Sequence, residues 1–362
     1  MRILLIALEL PLWHKARSLS YCAQLAFEEG LKDQGIDYFT ITTPWLRSVK
    51  EILQDKKFDQ VWVELTHSHF NEELLEWLSQ LAPVRVGFIL ESLDYSADEQ
   101  AVLPFLKERR GLVEKKIKYL THVITCDEKD ADNFNVRHFI PALWWPQAVP
   151  RRFIGTAVSE KAEEYATFSG ALYGARTHWL NHEHLKEILV RQTSSEQGTF
   201  YPALFNVLHG VAFISSKSRL SINAPILSGY LNSLRYIRRN CFSLWLKKMR
   251  TGCAVINLPH FVKTYAGRVV EGMAAGRPVI SWEIPDRPKN KALFQTDQEI
   301  LLFDKDHPEQ LAIQIRRILS DRNLNRKIVT NAFKKIESFH TIEKRVEQII
   351  KWIEKGQAPT YG

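Results

Sequence analysis

The stretch FSGALYGAR, residues 168–176, sets two glycines and an arginine behind a short apolar run. Glycines let backbone N–H groups approach an anion, and a helix starting near Arg176 adds a favourable dipole. A guanidinium can grip a diphosphate through two parallel hydrogen bonds. Gly170, Gly174 and Arg176 are therefore candidate phosphate contacts. Two glycines also mark ordinary strand-to-helix turns, and the spacing matches neither GxGxxG nor the P-loop. The second stretch, GRVVEGMAAGRPVI at 267–280, crowds small residues around one acid, Glu271. A helix over about 268–275 puts Glu271 in its first turn, with Gly276 at the cap and Pro278 beyond it. There the carboxylate either serves the helix dipole or accepts hydrogen bonds from two ribose hydroxyls of a nucleotide that the small neighbours admit.

Further candidates sit at the ends of apolar runs. THSHF (66–70) follows FDQVWVEL, and its His67 and His69 suit a base or an acceptor contact. HxH with no third ligand nearby does not make a metal site. ESLDY (91–95) offers Glu91 and Asp94 as bases or acceptor contacts, with helix capping as the alternative for Asp94. Trp13, His14 and Lys15 follow the first run and are acceptor-side candidates. His182 and His184 belong on a helix surface, on different faces. Trp144–Trp145 reads as packing between two halves of the chain.

These residues need a scaffold, and the apolar rhythm supplies one. RILLIAL (2–8) is continuously apolar, as a parallel strand buried on both faces should be. Helical and strand patterns then alternate through DYFTI, FDQVWVEL, NEELLEWLSQL, VRVGFIL, a long charged helix over 97–120, and HVITCD. Residues 139–155, with three prolines, read as a linker. The alternation resumes at EEYATFSG, passes through a mostly helical 177–248, and continues with CAVINL, PVISWE and EILLFD. Three helices close the chain. Repeated β-α-β units imply α/β architecture: two doubly wound parallel sheets with ligands at the strand carboxyl ends and a cleft between domains.

The chain has 362 residues and a formal charge of +8. Its basic runs KKIK (115–118), RYIRRN (235–240) and LKKMR (246–250) read as solvated helix faces, not a nucleic-acid surface. They also suit an anionic small molecule or membrane headgroups. Four dispersed cysteines without a CxxC pair fit a reducing compartment. No segment approaches about 18 uninterrupted apolar residues. The expectation is a cytoplasmic protein with room for peripheral membrane contact.

YAGRVVEGMAAGRPVISW resembles the signature of GT-B glycosyltransferases, in particular the family 4-like and spore-maturation-type group. FSGALYGAR is similar to the strand-loop-helix that opens their nucleotide-binding domain. EILLFDKDHPEQLAIQIRRIL and HTIEKRVEQIIKWIE resemble their next strand and helix and their terminal helix. The resemblance spans about 165–355. It implies two Rossmann-like domains facing a cleft: an acceptor-side domain over 1–158, a nucleotide-sugar domain over 159–338, and a returning helix over 339–362. It further implies a nucleotide-sugar donor of the UDP-linked kind, an acceptor of unspecified kind, a retaining transfer, and neither metal nor further cofactor. Glu271 would hold the ribose, and Gly170, Gly174 and Arg176 would lie near the diphosphate. Family 4 members carry a second acid eight positions earlier, where this chain has Lys263. Lys263 or Arg268 would then neutralise the leaving phosphate, while Glu91 and His69 serve the acceptor. The departure at Lys263 also admits a non-catalytic GT-B binding or assembly module, and the fold admits a nucleotide-sugar epimerase.

Overall fold

A computed structural model of the chain describes residues 1–7, 23–46, 49–53, 55–66, 70, 72–155, 162–172, 174–192, 200–217 and 223–362. The first part alternates β1 (Arg2–Ala7), α1 (Ala23–Asp33), β2 (Asp37–Thr42), α2 (Lys50–Leu53), β3 (Gln60–Glu64), α3 (Glu72–Leu81) and β4 (Val84–Ile89). It continues with α4 (Ala97–Val102), α5 (Phe105–Ile117), β5 (His122–Thr125), α6 (Glu128–Arg137) and β6 (Ala142–Trp144). The second part runs β7 (Ala166–Ser169), α7 (Arg176–Asn181), β8 (Leu189–Gln192), α8 (Phe200–Lys217), α9 (Ala224–Met249), β9 (Val255–Asn257) and α10 (Gly267–Ala274). It ends with β10 (Val279–Trp282), α11 (Pro288–Lys291), β11 (Leu301–Phe303), α12 (Pro308–Ser320), α13 (Arg322–Phe339) and α14 (Ile342–Lys355).

Two sheets result. The six-stranded one has the order β2-β1-β3-β4-β5-β6, and the five-stranded one β11-β10-β9-β7-β8. Every pairing of named strands within them is parallel. Both sheets are therefore doubly wound, as the alternating pattern predicted. Each reverses direction once, between β1 and β3 in the first and between β7 and β9 in the second. Ligands of such sheets bind at the carboxyl ends beside that switch point. β1 shows why its run is apolar throughout: Ile3 and Leu5 join one buried cluster, Leu4 and Ile6 another on the opposite face.

Three local expectations are corrected. The long helix over 97–120 is two helices, because Pro104 caps α5 and has no N–H to continue α4. The stretch 139–155 is not only a linker, since β6 pairs with β5 and adds a sixth strand. The helical span 177–248 is interrupted by β8, which pairs with β7. The expected boundary at 158 falls within 156–161, outside the described residues.

Two long-range helices determine how the sheets sit. α14 packs on α1, and Arg345, fully buried, donates from Nε to the Pro146 carbonyl at 3.1 Å. Trp144 and Trp145 serve this packing, as read: Trp145 meets Phe27 edge-on at 5.6 Å and Trp144 meets Tyr361 at 5.2 Å. α9 reaches across from the second sheet to the first. Its Tyr230 packs edge-on to Trp45 at 5.3 Å, Arg235 grips Glu28 at 2.7 and 2.8 Å, and Arg239 reaches Glu29 at 3.0 Å.

The α1–α14 contact depends on Gly30. A Cβ there would lie 2.6 Å from Val346 Cβ and 3.0 Å from the Ile342 carbonyl oxygen. Gly30→Ala should lower stability by about 1–3 kcal/mol, despite the better helix propensity of alanine. Urea denaturation checks this, and Val346→Ala in the same chain should recover part of the loss. Simple additivity of the two losses would show that the contact is not tight.

Candidate functional site

The second sheet's switch point gathers the candidates. β7 ends at Ser169, and Gly170 follows. A Cβ on Gly170 would fall 2.9 Å from the Phe168 ring and 3.0 Å from Arg268 Nη2, so the missing side chain lets the Arg268 guanidinium lie against the β7 loop. Phe168 carries both arginines, with Arg176 and Arg268 centred 5.2 and 5.3 Å from its ring. Arg268 also donates to Asn257 Oδ1 at 3.1 Å, and Asn257 in turn donates to Ser281 Oγ. Arg176, 1% exposed, gives Nε to the Pro259 carbonyl and Nη1 to the Ala171 carbonyl. Its contacts bind the loop after β7 to the loop after β9. Gly174 is exposed, with φ of 60°, and supplies the left-handed turn before α7.

α10 begins at Gly267, so Glu271 stands one turn inside the helix and not in its first turn. The predicted cap is present. Gly276, at φ 74°, donates to the Met273 carbonyl and Arg277 to the Gly272 carbonyl, which is a Schellman ending. Gly272 is small for packing: a Cβ there would lie 3.0 Å from Val255 Cβ and from Val279 Cγ2. Glu271 is buried and accepts from Trp245 Nε1 at 2.9 Å. Burial raises its carboxyl to about 7, against the opposing pull of the Trp245 hydrogen bond and the Arg268 charge.

His260, in the loop after β9, is the residue that motif reading passed over. Its Nδ1 accepts from the Val262 N–H at 2.7 Å, which leaves the proton on Nε2. Burial, followed by the charges of Arg176, Arg268 and Arg109, holds its pKa well below the usual value. Arg109 comes from α5 of the first sheet and forms an ion pair with Glu91. Glu91 thus stands at the end of β4 as expected, but with its charge answered by Arg109. His67, His69, Trp13, His14 and Lys15 lie outside the described residues.

Lys263 is neither a solvated loop lysine nor an isolated charge. Its Nζ reaches Glu99 Oε2 at 3.2 Å, Asp94 Oδ2 at 4.0 Å and the Asp94 carbonyl, while its backbone N–H donates to Ser92 Oγ at 2.6 Å. Arg287 makes the deeper crossing, with Nε to Asp127 Oδ1 at 2.5 Å and Nη2 to Asp127 Oδ2 and Asp94 Oδ2, both at 2.9 Å. Glu128 accepts from the N–H groups of Lys289 and Asn290 at the start of α11. Asp94 does not cap α4; Ser96 does, in a capping box with Glu99. Burial raises the Asp94 carboxyl, but Arg287 and Lys263 outweigh it and hold the group below its ordinary value. His182 ends α7 and His184 follows it, with ring centroids 5.3 Å apart.

With this geometry in view, the glycosyl transferase-like family matches residues 237–351, which hold β9, α10, Lys263 and Glu271. The whole chain is similar to sucrose-phosphate synthase from Thermosynechococcus elongatus: 13% identity, TM-score 0.63, 98% of each chain covered. It is similar to HepE from Anabaena in complex with UDP and glucose at 11% identity and TM-score 0.56, covering 98% of this chain and 100% of that one. The pneumococcal O-GlcNAc transferase GtfA in complex with UDP and GlcNAc matches at 11% identity and TM-score 0.52, over 86% of this chain and 59% of that one. No curated protein sequence matches. The chain shares the GT-B fold of these solved structures. No helix among the described residues is long and apolar enough to cross a membrane.

Two stability predictions follow from the charges. Arg287→Ala leaves Asp127 fully buried without its cation and should cost about 3–5 kcal/mol. Lys263→Ala should cost about 0–1 kcal/mol, since the exposed ends of its partners regain water. Chemical denaturation of both variants checks the order, and equal losses would contradict it. For Glu271 the native pKa lies above the unfolded one, so the ligand-free protein loses stability as pH rises from about 4.5 to 7. Glu271→Gln keeps an acceptor for Trp245 without the charge. It should therefore raise the ligand-free melting temperature at pH 8 and change it little at pH 4.5. A drop at pH 8 would mean that the ionised carboxylate stabilises the fold.

Proposed function

We propose that this protein transfers a hexosyl or N-acetylhexosaminyl group from a UDP-linked donor to an acceptor nucleophile, with retention and without a metal. The observation that carries the reading is Glu271. A buried carboxylate whose hydrogen bond comes from one neutral donor costs stability, and such a group is well suited to accepting hydroxyls from a ligand. Arg268 beside Gly170 gives the neighbouring diphosphate a cation, and the α7 and α10 N-termini face the same loops. The UDP complexes of HepE and GtfA support the choice of base.

In this reading the acceptor nucleophile bonds to the anomeric carbon on the face from which the diphosphate oxygen departs, and the leaving oxygen gathers charge near Arg268. Arg176 acts through the loop carbonyls it binds, which set the backbone of Gly170 and Gly174. Glu91, oriented by Arg109, takes the acceptor proton, and His69 belongs to the acceptor side. Lys263 holds the cleft together and leaves the phosphate charge to Arg268. The second reading, a GT-B binding module, is favoured by that same use of Lys263.

Calorimetric titration with UDP, GDP, ADP and dTDP tests the proposal. UDP is expected to bind most tightly, and at a hundredfold excess over Kd to stabilise the protein by about 2.7 kcal/mol. Glu271→Ala should weaken UDP roughly ten- to hundredfold. Full affinity in that variant, or no nucleotide binding at all, would remove the assignment. UDP binding with no sugar release or transfer from UDP-glucose or UDP-GlcNAc would favour the binding module.

A further inference from the structure

We infer that Trp245, near the end of α9, is a positioning residue of the donor site: its indole N–H fixes one oxygen of Glu271 so that the other is presented to the ribose diol. This rests on the nucleotide reading above and adds a residue from outside the motifs that suggested it.

Three observations carry it. First, Trp245 and Glu271 are both buried and joined at 2.9 Å through Oε2. An indole N–H only donates and carries no charge. It therefore orients the carboxylate without neutralising it, as a guanidinium in the same place would. Second, the remaining oxygen lies toward Gly267, the glycine at the start of α10. A Cβ on Gly267 would lie 3.2 Å from Oε1 but 4.0 Å from Oε2. The free oxygen thus faces the helix start, where the missing side chain keeps the approach open. Third, the indole is anchored from far away. Tyr230 and Arg235, on the same helix, are held by Trp45 and Glu28 of the first part of the chain. From residue 230 to 245 a helix rises about 22 Å, so α9 carries the position of the first sheet to the donor carboxylate.

The charges around Glu271 are few. Arg268 on α10 itself acts on it. From α9, Arg250 donates to the Ala275 carbonyl at the far end of α10. The side chains that α13 buries, Ile328, Val329, Ala332 and Ile336, are apolar, and β9 and β10 contribute neutral Asn257 and Ser281. The indole therefore matters to the ionisation of Glu271, and its removal should raise the pKa further.

The test measures UDP affinity by calorimetry from pH 6 to 9 for the wild type, Trp245→Phe and Glu271→Gln. Wild-type affinity should fall as pH drops through about 7, because only the ionised carboxylate accepts from both hydroxyls. Trp245→Phe should bind UDP roughly tenfold more weakly at pH 7 and nearly as well as wild type at pH 9, its midpoint having moved up. Glu271→Gln should bind weakly at every pH. A Trp245→Phe loss that is the same at all pH values, or no loss, overturns the inference while leaving the nucleotide reading in place. Wild type that does not bind UDP, or Glu271→Gln that binds like wild type, overturns both. Should Trp245→Phe not fold, two measurements decide. One indole N–H resonance of the wild type should titrate near pH 7 and stop doing so in Glu271→Gln. Gly267→Ala, which favours the helix, should still weaken UDP. Failure of either overturns the inference.

Discussion

The arrangement of the cleft depends on one buried ion pair, between Arg287 at the start of α11 and Asp127 at the start of α6. Their side chains are 1% and 0% exposed. A buried pair of this kind adds little net stability, because desolvating both ions costs about what their attraction returns. What it supplies is geometry, since either charge left alone is severely penalised. Asp127 also caps α6 by accepting from the Lys129 N–H, and Glu128 receives the first N–H groups of α11. Two helix N-termini, one from each part of the chain, thus meet over adjacent carboxylates that satisfy both.

The loop between β9 and α10 inherits that fixed geometry. Asn290 of α11 accepts from Thr264 Oγ1 and the Tyr265 N–H, while Ser92 and Glu99 hold Lys263 from the opposite side. The segment that leads into α10 is therefore pinned on both sides before any ligand arrives. A lysine at 263 suits this role because its partners on the first part of the chain are acids, and an acid there would meet Asp94 and Glu99 with like charge. The basic runs are only partly solvated faces: Lys115, Lys118 and Lys247 are exposed, while other members point inward. Lys116 donates to the Leu65 carbonyl at 2.8 Å, Arg238 is buried, and Arg235 and Arg239 hold α1. Part of the positive charge in these runs thus serves internal contacts.

Period and composition were enough to read both parallel sheets, because a strand buried on both faces must be apolar at every position. Two strands were harder. β6 and β8 are no shorter than β9 and β11, but β6 lies among three prolines and β8 turns polar at Arg191 and Gln192; β8 is recognised only by its neighbour β7. At the site, Gly170, Arg268 and Glu271 were legible since each lies beside a strand end or a glycine that marks a loop. Trp245, Arg109 and Arg287 were not. They come from the middle or edge of other elements, and only the fold brings them within reach. His260 had a faint signal, a Pro-His pair directly after an apolar run, but a lone histidine there has many ordinary explanations.

The small residues of α10 turn out to have separate tasks. Gly272 lets the helix sit on β9 and β10, Gly276 ends it, and Gly267 leaves the approach to Glu271 open. Only the last concerns a ligand in the function proposed above. Packing alone explains why the helix is thin toward the sheet, but it does not explain a carboxylate buried with a neutral donor. A leucine or methionine of similar volume would remove that cost. Helix dipole energy does not explain it either, since Glu271 lies beyond the first turn, where the effect has fallen away. On the proposed reading that cost is offset when a ligand donates to the carboxylate, and the side beside Gly267 is where the donor arrives.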